Sequence, residues 1–135
     1  MKTTEIVIQT GHSRGLFDIT PECERFVAAG GGAHDGLLVV FAPHATCGVV
    51  VMELGSGSES DLLAAIDRLL PRDDRWLHRH GSPGHGADHV LPLLVPPSVT
   101  VPVVAGRLQL GTWQSIALLD TNVDNPVRTV RLSLL

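Results

Sequence analysis

Tyrosine is absent from this chain, and phenylalanine and tryptophan raise the aromatic share to only 4%. Base-stacking surfaces for nucleic acid therefore have little to be built from. Basic clusters are missing as well. No run of Lys or Arg exceeds a pair, and the net charge is −4 with neutral histidines, so no nucleic-acid partner is expected. Two cysteines, Cys23 and Cys47, do not make a disulfide framework for 135 residues. The longest apolar run, near Val90 to Val95, is far short of the roughly 20 residues of a membrane span. The start, "MKTTEIVIQT", has one lysine and no apolar core of a signal peptide. A protein of the reducing cytoplasm, away from membranes, is the expectation.

What is present is apolar and mostly aliphatic. Hydrophobic residues reach 44%, which predicts a packed core and one domain over residues 1–135. "EIVIQ" (Glu5 to Gln9) alternates polar and apolar in the manner of a half-buried strand. "DITPECERFVAAGGG" reads as a helix, with Thr20 as N-cap, Pro21 at the first helical position and Gly30 to Gly32 as the stop. "GLLVVFA" (Gly36 to Ala42) and "CGVVVMEL" (Cys47 to Leu54) suit interior strands. "SGSESDLLAAIDRLLP" spaces its apolar residues helically, capped by Ser58 or Ser60 and closed by Pro71. "ADHVLPLLVPP" suggests a short irregular helix interrupted by Pro92. Four strand-like runs follow, "SVTVPVV", "RLQL", "TWQSIALLD" and "VRTVRLSLL", with a hairpin turn at "AGR" (residues 105–107). Strand runs with a minority of helix predict an α+β fold: largely antiparallel, sandwich-like sheets with two to three helices.

Four of the seven histidines fall in "HRHGSPGHGADH", residues 78–89. Imidazole is the commonest protein ligand for Zn²⁺, and three imidazoles with one open position is a catalytic arrangement. His85 and His89 share a face if the chain turns helical at Gly86, and an extended backbone would aim His78 and His80 the same way. The spacing alone leaves a metal site and a solvated polar loop equally open. Asp88 beside His89 could orient a ligating ring. "HATCG" offers Cys47 as a nucleophile with His44 as base. A thiol at the start of an apolar strand reads better as a buried structural group. In "GRLQLGTWQS" (residues 106–115), Arg107 could clamp a phosphate, and Trp113 could wall a pocket or fill the core. Glu53 and Asp120, near strand ends, are either an acid/base pair or solvated rim residues.

Taken in order, "GLFDIT", "HATCG…ME", "LLPRDD…H" and "ADH…L…PSVTVPV…GRLQLGTWQ" resemble the YjbQ-like family, small proteins named secondary thiamine-phosphate synthases. The similarity runs from Glu5 to Val130, and "GRLQLGTWQS" is its most specific block. The resemblance implies antiparallel sheets in a homotrimer with pockets near subunit contacts. It implies a metal set of His44, His78 and His89, with His80 and His85 facing substrate. Arg14 and Asp18 match the "GR…DIT" segment, and Arg107, Thr112, Trp113 and Gln114 match "GR…LGTWQ". Glu53 matches the acid after the first histidine strand, and Asp120 stands where Glu is frequent. Glu53, Arg107 and Asp120 are thereby the expected catalytic groups, and Arg14, His80, His85, Thr112, Trp113 and Gln114 the expected substrate contacts. The cofactor implied is a divalent metal, Zn²⁺ in first place, with Mg²⁺ as the alternative alongside a diphosphate.

The activity the resemblance implies joins an aminopyrimidine diphosphate to a thiazole phosphate and releases pyrophosphate. Two other classes stay open: a metal-dependent hydrolase or lyase of a small phosphorylated molecule, and a non-catalytic trimer that binds a metal or small ligand. The chain departs from the family pattern at Ala45, Cys47, Met52 and Leu54, and at His85, where many members carry Asn.

Overall fold

The computed structural model describes residues 1–30 and 34–135. Its strands are β1 (Lys2–Gln9), β2 (Gly15–Asp18), β3 (Gly36–Phe41), β4 (Cys47–Met52), β5 (Ser98–Val104), β6 (Arg107–Leu108), β7 (Ser115–Asp120) and β8 (Val127–Leu134). The helices are α1 (Thr20–Ala28), α2 (Ser58–Leu69) and the single turn α3 (His85–Asp88), with a 3₁₀ turn at Leu91–Leu93. Every pairing is antiparallel. One sheet runs β1-β8-β3-β5-β6 and the other β2-β7-β4. The α+β architecture with curled antiparallel sheets is the one expected.

The two sheets enclose a core that α1 closes at one end. Leu38, Val40, Val101, Val103, Val130 and Leu132 from the large sheet meet Val49, Ile116 and Leu118 from the small one. Ile19, Cys23 and Val27 complete it. Each such side chain, fully withdrawn from water, contributes about 1.5–3 kcal/mol. A second cluster lies on the other face of the small sheet, where Leu119 packs with Ile66 and Leu70 of the α2 segment and with Ala87 and Leu91. Strand β7 is therefore covered on both faces, which explains its unbroken apolar run "IALL". The histidine segment sits in this outer layer, held against the small sheet.

Two capping expectations change, and one strand is added. β2, which no local pattern marks, pairs Leu16 with Leu119 and Phe17 with Leu118. Thr20 lies inside α1 and does not cap it. Ile19 holds the cap position, and the Thr20 hydroxyl accepts from Ile116 N–H at 2.8 Å, tying the helix to β7. Gly57, with φ at 90°, precedes α2 in place of a serine cap, and Glu59 accepts the Gly55 N–H at 2.8 Å. The expected stop at Gly31 and Gly32 lies outside the described residues. Pro92 sits within the 3₁₀ turn, where the first positions need no N–H donor. Among the described residues no helix is long and apolar enough to cross a membrane.

Gly48 marks a close approach between β4 and the segment after α3. A Cβ there would lie 2.4 Å from Val95 Cγ1 and 2.9 Å from the Val95 carbonyl oxygen. Backbone cannot yield as a side chain does, so Gly48→Ala is expected to destabilise by about 1–3 kcal/mol. Urea unfolding monitored by circular dichroism checks this, and an unchanged midpoint would refute the contact.

Candidate metal centre

The stretch from residue 71 to residue 91 folds back on itself because several contacts pin it. Arg72 reaches Asp88 with both terminal nitrogens, and its Nη2 also donates to the Pro83 carbonyl at 3.4 Å. The Asp88 side chain is fully buried in this pair, so it does not orient a histidine ring as its place beside His89 suggested. Trp76 donates its indole N–H to the Pro71 carbonyl at 2.8 Å. Gly86 allows α3 to lie directly on this hairpin. A Cβ there would come within 2.6 Å of the His78 carbonyl oxygen and 2.5 Å of Trp76 Cβ.

That fold brings four imidazoles together. Ring centroids of His78 lie 4.1 Å from His80 and 4.0 Å from His89, and those of His85 lie 4.6 Å from His89 and 4.8 Å from His80. His85 and His89, one helical turn apart, do share a face: their Nε2 atoms stand 2.9 Å apart. One potential ligand atom from each of His78, His80 and His85 falls within 4.8 Å of the others. The set contains only neutral-capable nitrogen donors, convergent and partly open to solvent, which suits a borderline-soft divalent ion such as Zn²⁺. His78, His80 and His85 wall a cavity of about 320 Å³, whose rim includes Arg72, Trp76 and Arg79.

Behind the cluster lies a buried polar network. Arg128 donates through Nε and Nη2 to the two oxygens of Asp120, at 2.7 and 3.2 Å, and through Nη2 to Thr46 Oγ1 at 3.0 Å. Asn122 donates to the same Thr46 oxygen at 3.3 Å, and its Nδ2 lies 3.4 Å from His85 Nδ1. Asp124 places a carboxylate oxygen 3.3 Å from His85 Nδ1 and accepts both the N–H and the hydroxyl of Ser82. Neither Asn122 nor Asp124 stands out in the sequence. The only hint is the Asx-rich run "DTNVDN" after a strand.

The other predicted groups fall elsewhere. His44 Nε2 sits against the backbone of Thr129, 3.0 Å from its oxygen and 3.1 Å from its nitrogen, and is not among the atoms that converge in the cluster. Asp120 is fully buried and engaged by Arg128. Arg14 forms a bidentate pair with Asp67 at 2.6 and 3.1 Å. Glu53, Arg107, Thr112 and Trp113 are exposed, and Gln114 accepts the Gly111 N–H at 2.8 Å. None of these lines the histidine cavity of a single chain. Cys47 is fully buried and its thiol is pushed up to about 12, by burial first and then by Asp120. Cys23, likewise buried, also rises to about 12. Neither is an activated nucleophile.

With this geometry in view, comparison with known proteins is decisive. The family model for UPF0047 protein YjbQ-like matches residues 4–135. The chain belongs to the YjbQ-like family. A UPF0047 protein of Mycobacterium tuberculosis is 54% identical over 133 residues, covering 98% of this chain and 97% of the relative. One from Archaeoglobus fulgidus is 34% identical over 116 residues, covering 86% and 88%. Among solved structures, a hypothetical protein from Aeropyrum pernix superposes with a TM-score of 0.88 at 33% identity, covering 100% of this chain and 98% of that one. A YbjQ-like protein from Sulfolobus solfataricus gives 0.90 at 25% identity, covering 98% and 95%.

The burial of Asp120 makes a strong prediction for this YjbQ-like chain. Asp120→Asn removes the charge that compensates buried Arg128, and breaking such a pair costs about 3–5 kcal/mol. Thermal unfolding should shift down by many degrees; a stable protein with only lowered turnover would instead restore Asp120 to the catalytic machinery.

Proposed function

We propose that this chain is a metal-dependent enzyme acting on a small phosphorylated molecule, and that its reaction is of the secondary thiamine-phosphate synthase type implied by the resemblance. The observation that carries the reading is the convergence of His78, His80 and His85 on one cavity wall, with His89 Nε2 2.9 Å from His85 Nε2 behind them. Desolvation, then repulsion between neighbouring rings, disfavours the protonated forms of His78 and His89, and a divalent cation requires its imidazole ligands neutral. His78 and His89, the two the family pattern selects, serve as ligands together with His85 or His80. His44 remains with the Thr129 backbone.

When bound, the cation supplies Lewis acidity that steadies a leaving diphosphate. The chain's own groups do the rest. Arg79, on the cavity rim, adds a positive charge for phosphate oxygens, and the apolar face of Trp76 borders the space a flat heterocycle would need. A site of about 320 Å³ admits a ligand of small-molecule size.

The test combines metal analysis with turnover. Zinc-supplemented wild type should carry metal and couple the aminopyrimidine diphosphate to the thiazole phosphate with release of pyrophosphate. His78→Ala/His89→Ala should lose both, and His44→Ala should keep its metal. A wild type that binds no Zn²⁺, Co²⁺ or Ni²⁺ overturns the metal reading. Phosphate release from an ester without coupling would favour a hydrolase.

The pH dependence has a definite sign. Desolvation, then repulsion from neighbouring imidazoles, lowers His78 and His89 below the ordinary 6.5. Both are neutral ligands at pH 7, so metal affinity is full there and is lost as pH falls below 6.5 through their lowered values. Isothermal titration between pH 5 and 8 measures this. Affinity that instead rises toward pH 5 contradicts it.

We further propose that the chain works as a homotrimer. Leu77, Leu93, Trp113 and Leu69 are 96%, 80%, 74% and 65% exposed, more large apolar surface than a solitary subunit of this size needs to leave in water. Light scattering should report three chains of 14.4 kDa each; a stable monomer at micromolar concentration overturns this.

A further inference from the structure

His85 is the one buried member of the histidine cluster, and two polar groups from the β7–β8 connection face its Nδ1. Asp124 Oδ2 stands 3.3 Å away and Asn122 Nδ2 3.4 Å away. The amide orientation of Asn122 is set independently, since its Oδ1 accepts the Asp124 N–H at 2.7 Å and its Nδ2 donates to Thr46. It can offer Nδ1 only a donor. An unprotonated Nδ1 would accept a long bond from Asn122 while holding its lone pair against a carboxylate. A protonated Nδ1 donates to that carboxylate instead, and a charge-assisted bond outweighs a neutral one about twofold.

We propose that Asp124 is a positioning residue that holds His85 in the Nδ1–H form and so presents its Nε2 lone pair to the cation, an inference that rests on the metal reading above. The carboxylate is itself held by a relay of turns. Asp120 Oδ1 accepts the Asn122 N–H at 3.0 Å, Asn122 Oδ1 accepts the Asp124 N–H, and Asp120 is locked to Arg128. The same Asp124 oxygen takes the N–H and hydroxyl of Ser82, at 3.1 and 3.2 Å, which clamps the loop between His80 and His85. One carboxylate thus sets both the tautomer of His85 and the path of the chain that carries the cluster.

The experiment compares wild type, Asp124→Asn and Ser82→Ala. Long-range nitrogen–proton spectra of the metal-free proteins read the His85 tautomer, zinc titration reads affinity, and thermal unfolding controls for folding. Wild type should show His85 protonated at Nδ1. Asp124→Asn should lose that preference and bind zinc about 10–100-fold more weakly at a near-native unfolding temperature. Ser82→Ala, which loses one of the two loop contacts but keeps the carboxylate beside His85, should keep the Nδ1–H form and lose far less zinc affinity than Asp124→Asn. A wild-type His85 protonated at Nε2 overturns the proposal, as does wild-type affinity in Asp124→Asn or an equal loss in Ser82→Ala. Should Asp124→Asn fail to fold, the wild-type spectrum alone decides. If wild type binds no cation, the metal reading falls, and the tautomer still judges the role of Asp124.

Discussion

A guanidinium and a carboxylate, both shut away from water, join the two sheets of this protein. Arg128 belongs to β8 of the large sheet and Asp120 to the end of β7 in the small one. Burying either charge alone would cost several kcal/mol. The pair is tolerated because two donor nitrogens meet two acceptor oxygens, at 2.7 and 3.2 Å, and Thr46 takes a further contact. Neither strand can slide or tilt without exposing an uncompensated charge. The aliphatic core around the pair would accept many packings of similar energy, whereas this contact accepts one.

From that anchor, order is passed outward in short steps. Asp120 sets Asn122, Asn122 sets Asp124, and Asp124 meets both Ser82 and His85. On the opposite flank the Arg72–Asp88 pair ties the start of the histidine hairpin to its end. A loop rich in glycine and histidine would otherwise lose much conformational entropy on ordering. The Arg72–Asp88 ion pair at one flank and the Asp124–Ser82 hydrogen bonds at the other offset that cost and leave His78 and His80 at the surface where a ligand can reach them. The cavity is thus rigid at its floor and open at its mouth, an arrangement suited to binding small molecules.

The elements that sequence made legible are those with an internal period or a strong stop. Strand β1 alternates, α2 repeats its apolar residues at helical spacing, and "AGR" turns a hairpin with Ala105 and Gly106 both at positive φ. β2 escaped because its four residues carry no alternation of their own and gain strand character only by pairing with β7. Thr20 was misjudged because its hydroxyl serves β7 across the layer, a partner far away in the chain.

By itself the sequence determined the α+β class, the family, and the concentration of imidazole in residues 78–89, since each rests on residues near one another or on an ordered set of motifs. It could not determine which imidazoles converge or what stands behind them. His44 carries the family's pattern, yet its ring is held by the Thr129 backbone. Asp88, adjacent to His89 in the chain, is buried against Arg72, while Asp124, remote in the chain, reaches His85. Only the tertiary structure decided these pairings. A carboxylate goes to whichever cation or N–H the packed layers bring within about 3 Å, and that distance depends on the packing of the sheets, not on the spacing of residues along the chain.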